Sequence, residues 1–334
     1  MIIQLKQNIE STNLQSILKT VEAIGYKPNI VKTQMNSYLV CIGKIEIDIR
    51  KIGKLSGVVD VHRVSDQYKL VSSKWKLGYT TIDLSDGVLI GGKEKITMAG
   101  PCSIESEEQV EKIAEHLSTQ GIKIMRGGVF KPRSSPYAFR GLGIEGMKLF
   151  YSACNKRGIK IITEVMHSTQ IEELYPYVDI FQIGARNSQN FNLLDALGKC
   201  DKPVLLKRGI SGTIEELLYS SEYVFSAGNE KLMLCERGIR TFEPAYRNTI
   251  DINAIQVLKD KTHLPVIADP SHGVGIRDYV TGIALASLVA GADGIIYEVH
   301  YSPEDALSDG QQTLNFQESE NLMAKINLLK PLFN

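Results

Sequence analysis

From residue 95 onward, short apolar runs alternate with helix-like stretches, and each run ends in polar or charged residues. The runs are KITMAGP, IKIMRGG, IKIITEV, DIFQIGA, PVLLKRG, KLMLCERG, LPVIADP and GIIYEVH. Between them lie amphipathic segments such as SEEQVEKIAEHLSTQG and IRDYVTGIALASLVAGA. Eight strand–helix units in one run predict an α/β fold of the (β/α)₈ TIM-barrel type. A doubly wound open sheet is the alternative, but it gathers its polar strand ends at one switch point. Here all eight runs carry them, as a barrel mouth requires.

The first part of the chain has a different grammar. IIQLK reads as a strand, and Leu14, Ile17, Leu18, Val21 and Ile24 recur at helical spacing up to the stop at Gly25. KPNIVKTQ and SYLVCIG read as two strands, Ile45 to Leu55 as a second helix and GVVDVHRV as a last strand. The order βαββαβ predicts a small ferredoxin-like domain over residues 1–66. Residues 67–78 then form a linker, and residues 79–334 form the barrel with an N-terminal β-hairpin turning at Ser85-Asp86-Gly87.

Lys plus Arg and Asp plus Glu each number 38, so the formal net charge is zero. That balance argues against a nucleic-acid or membrane-surface partner. No segment has the pattern of a secretion signal or a membrane span. The five cysteines, Cys41, Cys102, Cys154, Cys200 and Cys235, are odd in number and scattered. They fit reduced thiols in a cytoplasmic protein.

The strand ends carry the chemistry. Arg126, Lys131, Arg133, Arg186, Lys207 and Arg237 would all face one mouth, where few acids are expected to neutralise them. Clustered cations repel unless an anion joins them, and guanidinium forks match phosphate and carboxylate oxygens. A ligand with two such anionic groups is implied. Cys102, His272, Glu298 and Asp309 come from the ends of strands one, seven and eight and the loop beyond. A thiolate, an imidazole and two carboxylates suit a borderline divalent ion. His62, His116 and His263 are read as structural. His167 is expected near the pocket, and His300 is expected to support Glu298.

The segments AGPCSIES, KPRSSPYAFRGLG, IGARNSQNF, LLKRG, ERGIRTFE, DPSHGVG and EVHYSPEDALSDGQQ, in this order, closely resemble the DAHP (3-deoxy-D-arabino-heptulosonate 7-phosphate) synthase family, in its short microbial form with an N-terminal ferredoxin-like regulatory domain. The resemblance implies metal-dependent condensation of phosphoenolpyruvate with D-erythrose 4-phosphate, the first step of the shikimate pathway. It implies metal ligation by Cys102, His272, Glu298 and Asp309, with manganese favoured over iron, cobalt or zinc. Phosphoenolpyruvate would meet Arg126, Lys131, Glu164, Arg186, Lys207 and Arg237, and erythrose phosphate would meet Pro132, Arg133 and Ser134. Lys131 is the implied proton donor or orienter near the aldehyde. Glu164 would hold water, unless it is simply an acid at a helix start. Tyr301 stands where the family often has proline.

Feedback inhibition by tyrosine or phenylalanine through residues 1–66, and a homo-oligomer with a tetramer favoured, are further implications. Two other readings remain open: a related phosphoenolpyruvate-dependent sugar acid synthase, and an inactive amino-acid sensor. KPRSSPY favours the seven-carbon product, and the filled ligand positions favour an enzyme. The mixed α/β character of the N-terminal part speaks against an added chorismate mutase.

Overall fold

Amphipathic periodicity builds the N-terminal unit directly. The computed structural model describes residues 1–43, 47–76, 78–132 and 135–333. The chain begins with β1 (Ile2–Leu5), α1 (Ser11–Ala23), β2 (Lys27–Lys32), β3 (Ser37–Ile42), α2 (Arg50–Gly53) and β4 (Val58–His62). The strands form an antiparallel sheet in the order β2-β3-β1-β4, with α1 packing Ile17 and Val21 against it. The expected second helix shrinks to the single turn of α2. Ile45 lies outside the described residues. In the rest of the segment Ile47, Ile49, Ile52 and Gly53 have weak helix propensity, and the Asp48 side chain accepts from Arg50 N only where the turn begins.

The hairpin of β5 (Ile82–Asp83) and β6 (Leu89–Ile90) follows, with Ser85, Asp86 and Gly87 all at positive φ. Then come the barrel strands β7 (Ile96–Gly100), β8 (Ile124–Arg126), β9 (Lys160–Glu164), β10 (Ile180–Ile183), β11 (Val204–Lys207), β12 (Leu232–Glu236), β13 (Val266–Ala268) and β14 (Gly294–Glu298). They close into one parallel barrel through the pairing of β14 with β7. The alternating helices are α3 (Glu107–Thr119), α4 (Gly143–Asn155), α5 (Gln170–Leu174), α6 (Phe191–Gly198), α7 (Ile214–Ser226), α8 (Ile252–Lys261), α9 (Pro270–Val274), α10 (Arg277–Val289) and α11 (Phe316–Leu329). None of the described helices is long and apolar enough to cross a membrane.

Inward side chains Met98, Ile124, Ile162, Ile180, Leu205, Met233, Ile267 and Ile296 fill the barrel. Ile82, Leu84, Val88 and Ile90 of the hairpin continue that cluster. Asp86 at the hairpin tip pairs with Lys160, the first residue of β9. The hairpin therefore packs across the end where the strands begin.

The outer face of the small sheet continues the barrel's outer core. Tyr38 and Val40 join Tyr68, Leu70, Val71 and Trp75 and pack toward Phe225. Buried Glu230, just before β12, accepts from the Thr33 hydroxyl and from Asn36 Nδ2. Trp75 stands edge-on to both Tyr38 and His263, with ring centroids 5.3 and 5.4 Å away. His263 Nε2 donates to Leu70 O at 2.8 Å, so Nδ1 must accept from the Thr80 hydroxyl at 2.7 Å. Lys76 donates to that same hydroxyl.

Burial, reinforced by the Lys76 charge, pulls the His263 pKa from 6.5 to about 3. The unfolded chain therefore binds a proton that the folded chain refuses, and stability falls as pH drops from 6.5 toward 3, by up to about 1.4 kcal/mol per pH unit. In urea titrations, His263→Gln should show a shallower loss of stability over that window than the unaltered chain. Parallel curves would contradict the assignment.

Candidate active site

Closure of the barrel decides which residues meet. Across the β14–β7 seam the Cα partner of Glu298 is Gly100, so Cys102 emerges beside Glu298 although nearly two hundred residues separate them. Gly100 has φ 152°, and a Cβ there would stand 2.0 Å from Arg126 O, so only glycine lets β8 come this close. Asp309 approaches from the loop after β14 in a left-handed conformation, φ 51°. Two contacts staple that loop to the loop after β7. Ser103 and Ser308 share a hydroxyl hydrogen bond of 2.5 Å, and Glu105 accepts from Ser103 Oγ and Leu307 N.

Cys102, Glu298 and Asp309 thus bring one ligand atom each within 4.8 Å of one another. His272 stands beside two members of this group, its Nε2 lying 3.5 Å from Glu298 Oε1 and 3.9 Å from Asp309 Oδ2, without joining the mutually close set. Its orientation follows from α9. Asp269 caps this helix by accepting from His272 N, Pro270 supplies the first helical residue, and Gly275 ends the helix at φ 73°. Asp269 Oδ2 also accepts from His272 Nδ1 at 2.8 Å, which leaves the Nε2 lone pair facing the two carboxylates. An imidazole backed by a carboxylate in this way is the arrangement found behind metal-bound histidines.

The charges in this group fit a cation. Burial, then the Glu298 charge, pushes the Cys102 thiol up to about 12. Without a cation the thiol is neutral and donates to Asp309 Oδ2 at 3.2 Å. A divalent ion among these atoms reverses that balance and stabilises the thiolate. Burial opposes ionisation of Asp269, but His272 and Lys207 outweigh it and hold the carboxyl well below its ordinary range.

A cavity of about 340 Å³ opens at the same mouth. Arg126, Lys131, Pro132, Glu164, Arg186, Lys207, Arg237, His272 and Asp309 all line it. Arg133 and Ser134, in the adjoining segment, lie outside the described residues. Glu164 ends β9 and lies over Gly184, where a Cβ would meet its Oε1 at 2.0 Å. No helix starts at Glu164, because α5 begins at Gln170. Lys131 Nζ lies 3.1 Å from Cys102 Sγ, so the cationic wall and the ligand group touch.

Several expectations change. The mouth holds more acids than expected. Arg126 pairs with Glu298 at 2.8 Å, Lys207 with Asp269, and Arg208 with both Glu236 and Asp251. By contrast, Arg186, Arg237 and Arg240 have no carboxylate within ion-pair distance among the described residues. Arg237 is buried, and that burial drives its pKa down, opposed by Asp269. An unpaired buried guanidinium beside two exposed ones is a standing demand for an anion.

His167 does not line the cavity; it is exposed and bonds Thr169. His300 does not face Glu298. Its Nδ1 accepts from Ser302 N, and its Nε2 points to Glu105 at 3.7 Å. Sequence reasoning missed Asp269, Arg240, Arg247, Asn248 and Gln312. Only Asp269 had a signal, as the cap position of the Asp-Pro-Ser-His run.

Comparison with known proteins shows the family of the chain. The profile of the DAHP synthetase I family matches residues 79–332. Phospho-2-dehydro-3-deoxyheptonate aldolase of Thermotoga maritima is 44% identical over 98% of this chain and 97% of its own length. Its crystal structure superposes with a TM-score of 0.79 over 99% of this chain and 98% of its own. A 2-dehydro-3-deoxyphosphooctonate aldolase of Desulfatibacillum aliphaticivorans is 31% identical over 74% of this chain and 96% of its own length.

The sorting of cations predicts contrasting substitutions. Arg208→Met leaves Glu236 buried without its cation and should cost about 3–5 kcal/mol in urea unfolding. Arg186→Met, at an exposed guanidinium without a carboxylate partner, should change stability by less than about 0.5 kcal/mol. It should weaken binding of phosphorylated ligands, read by calorimetry. Equal stability losses would contradict the division.

Proposed function

The chain belongs to the DAHP synthetase I family, and from that premise we propose that it condenses phosphoenolpyruvate with D-erythrose 4-phosphate to DAHP and phosphate, the first step of the shikimate pathway. One observation carries this reading. A single cavity is lined by cations lacking carboxylate partners and by His272 and Asp309 of the ligand group. A site of that kind can hold a doubly anionic molecule against a metal-bound second reactant.

Cys102, His272, Glu298 and Asp309 would hold one divalent ion, manganese in preference to iron, cobalt or zinc. When bound, it acts as a Lewis acid on the aldehyde oxygen of the sugar phosphate. The remaining roles belong to side chains. Arg186, Lys207 and Arg237, with Arg126 behind them, take the carboxylate and phosphate of phosphoenolpyruvate. Pro132, Arg133 and Ser134 receive the erythrose phosphate.

Carbon three of the enol attacks the aldehyde carbon. Lys131, beside Cys102, gives a proton to the oxygen that develops there. The positive charge left at carbon two takes up a water held by Glu164, and the resulting hemiketal phosphate loses inorganic phosphate. The sum is phosphoenolpyruvate, erythrose phosphate and water in, DAHP and phosphate out.

Residues 1–66 would sense tyrosine or phenylalanine in a homotetramer. Support comes from the separate antiparallel sheet. The octulosonate relative spans 96% of its own length while matching 74% of this chain, so this chain carries material beyond that relative. The second reading, eight-carbon sugar acid synthesis, rests on the same similarity. The segment KPRSSPY opposes it.

Metal-stripped protein given phosphoenolpyruvate and erythrose 4-phosphate should release phosphate only after Mn²⁺ is returned. Arabinose 5-phosphate should turn over far more slowly. Cys102→Ala and His272→Ala should lose metal-dependent turnover while keeping the thermal transition of the metal-free parent. Faster turnover of the five-carbon aldehyde would reassign the substrate, and full activity in either variant would remove the metal assignment.

A further inference from the structure

Glu298 and Asp309 each have two carboxylate oxygens, and Arg247 and Gln312 hold the one of each that lies farther from His272. Gln312, fully buried, donates from Nε2 to Glu298 Oε2 at 2.7 Å. Its Oε1 accepts from Arg247 Nη1 at 2.8 Å. The same Nη1 stands 3.1 Å from Asp309 Oδ1. The other two oxygens, Asp309 Oδ2 and Glu298 Oε1, which also accepts from Arg126 Nη1 at 2.8 Å, are the ones facing His272 Nε2. Asp309 Oδ2 is also the oxygen beside Cys102 Sγ.

We propose that Arg247 and Gln312 form a tether that limits Glu298 and Asp309 to one ligating oxygen each, and thereby sets the affinity and coordination number of the metal centre. This inference rests on the metal centre proposed above. The chemistry of glutamine suits the role. Its amide offers a donor to the carboxylate at one end and an acceptor to the guanidinium at the other. A glutamate at this position would set a second anion against Glu298, and a methionine would leave both partners without their hydrogen bonds. Arg247 comes from the segment between β12 and α8, and Gln312 from the segment after β14, so the tether also joins two loops of the mouth. With one oxygen from each carboxylate, a thiolate and an imidazole, an ion held there would keep positions open for water or substrate. Without the tether, Asp309 could turn Oδ1 toward the ion, and Glu298, still held at Oε1 by Arg126, could offer Oε2 as well, which would close those positions.

The test reads metal binding rather than turnover. Metal-free full-length chain, Gln312→Met and Arg247→Met are each titrated with Co²⁺ against a chromophoric chelator, and visible spectra are recorded. Both variants should bind Co²⁺ about 10–100-fold more weakly, the usual scale for loss of a partner behind a ligand. Their d–d bands should lose intensity as coordination number rises, while the Cys102 thiolate band persists. If Gln312→Met does not fold, Arg247→Met, at the more exposed end, carries the same expectation. Unchanged affinity and spectra in the variants would overturn the tether and leave the metal centre standing. No Co²⁺ binding by the unaltered chain would overturn the metal centre, and the tether with it.

Discussion

The pairing of the first barrel strand with the last governs everything at the mouth. Residues 102 and 298 meet only because β14 closes on β7 with Glu298 opposite Gly100. A shift of one residue in that register would turn Glu298 away from the barrel axis. The register is held on both sides. Gly100 admits the Arg126 carbonyl at a distance no side chain would permit, and Arg126 then donates to Pro101 O and to Glu298. The same contact that closes the barrel therefore places a guanidinium beside the Glu298 carboxylate.

That closure commits the interior to a high density of charge. Arg126–Glu298 and Lys207–Asp269 are buried pairs, with half-buried His272 against the second, and buried ion pairs are weak contributors to stability because desolvation offsets their attraction. Their worth lies in orientation. Asp269 turns His272, Arg126 supports Glu298, and the Ser103–Ser308 contact fixes the approach of Asp309. The guanidiniums left over, Arg186, Arg237 and Arg240, are those a substrate anion can satisfy. At the opposite end the hairpin side chains pack into the barrel cluster, so the charged cavity lies at the end where the strands finish.

How much of this could be read from the residues depends on whether a residue sits in a periodic element. The eight strand ends were legible, because apolar runs with polar termini repeat at even intervals. The ferredoxin-like order was legible from α1 and the β-branched strands, whereas the α2 segment was over-read as a full helix. The carboxylates that partner the cations were not legible. Glu236 and Asp251 lie far from Arg208 in sequence, and nothing in their spacing signals the pairing. Gln312 and Arg247 occupy long non-repeating loops, where register gives no guidance. His300 shares its strand parity with Glu298, yet Ser302 N turns its ring toward Glu105.

Anomalous diffraction at the manganese edge, from crystals soaked with Mn²⁺ and phosphoenolpyruvate, tests the central claim most directly. The account predicts one peak within bonding distance of Cys102 Sγ, His272 Nε2, Glu298 Oε1 and Asp309 Oδ2, with the phosphoenolpyruvate anions against Lys207, Arg186 and Arg237. An empty ligand group with the metal or the phosphoenolpyruvate bound elsewhere would contradict it.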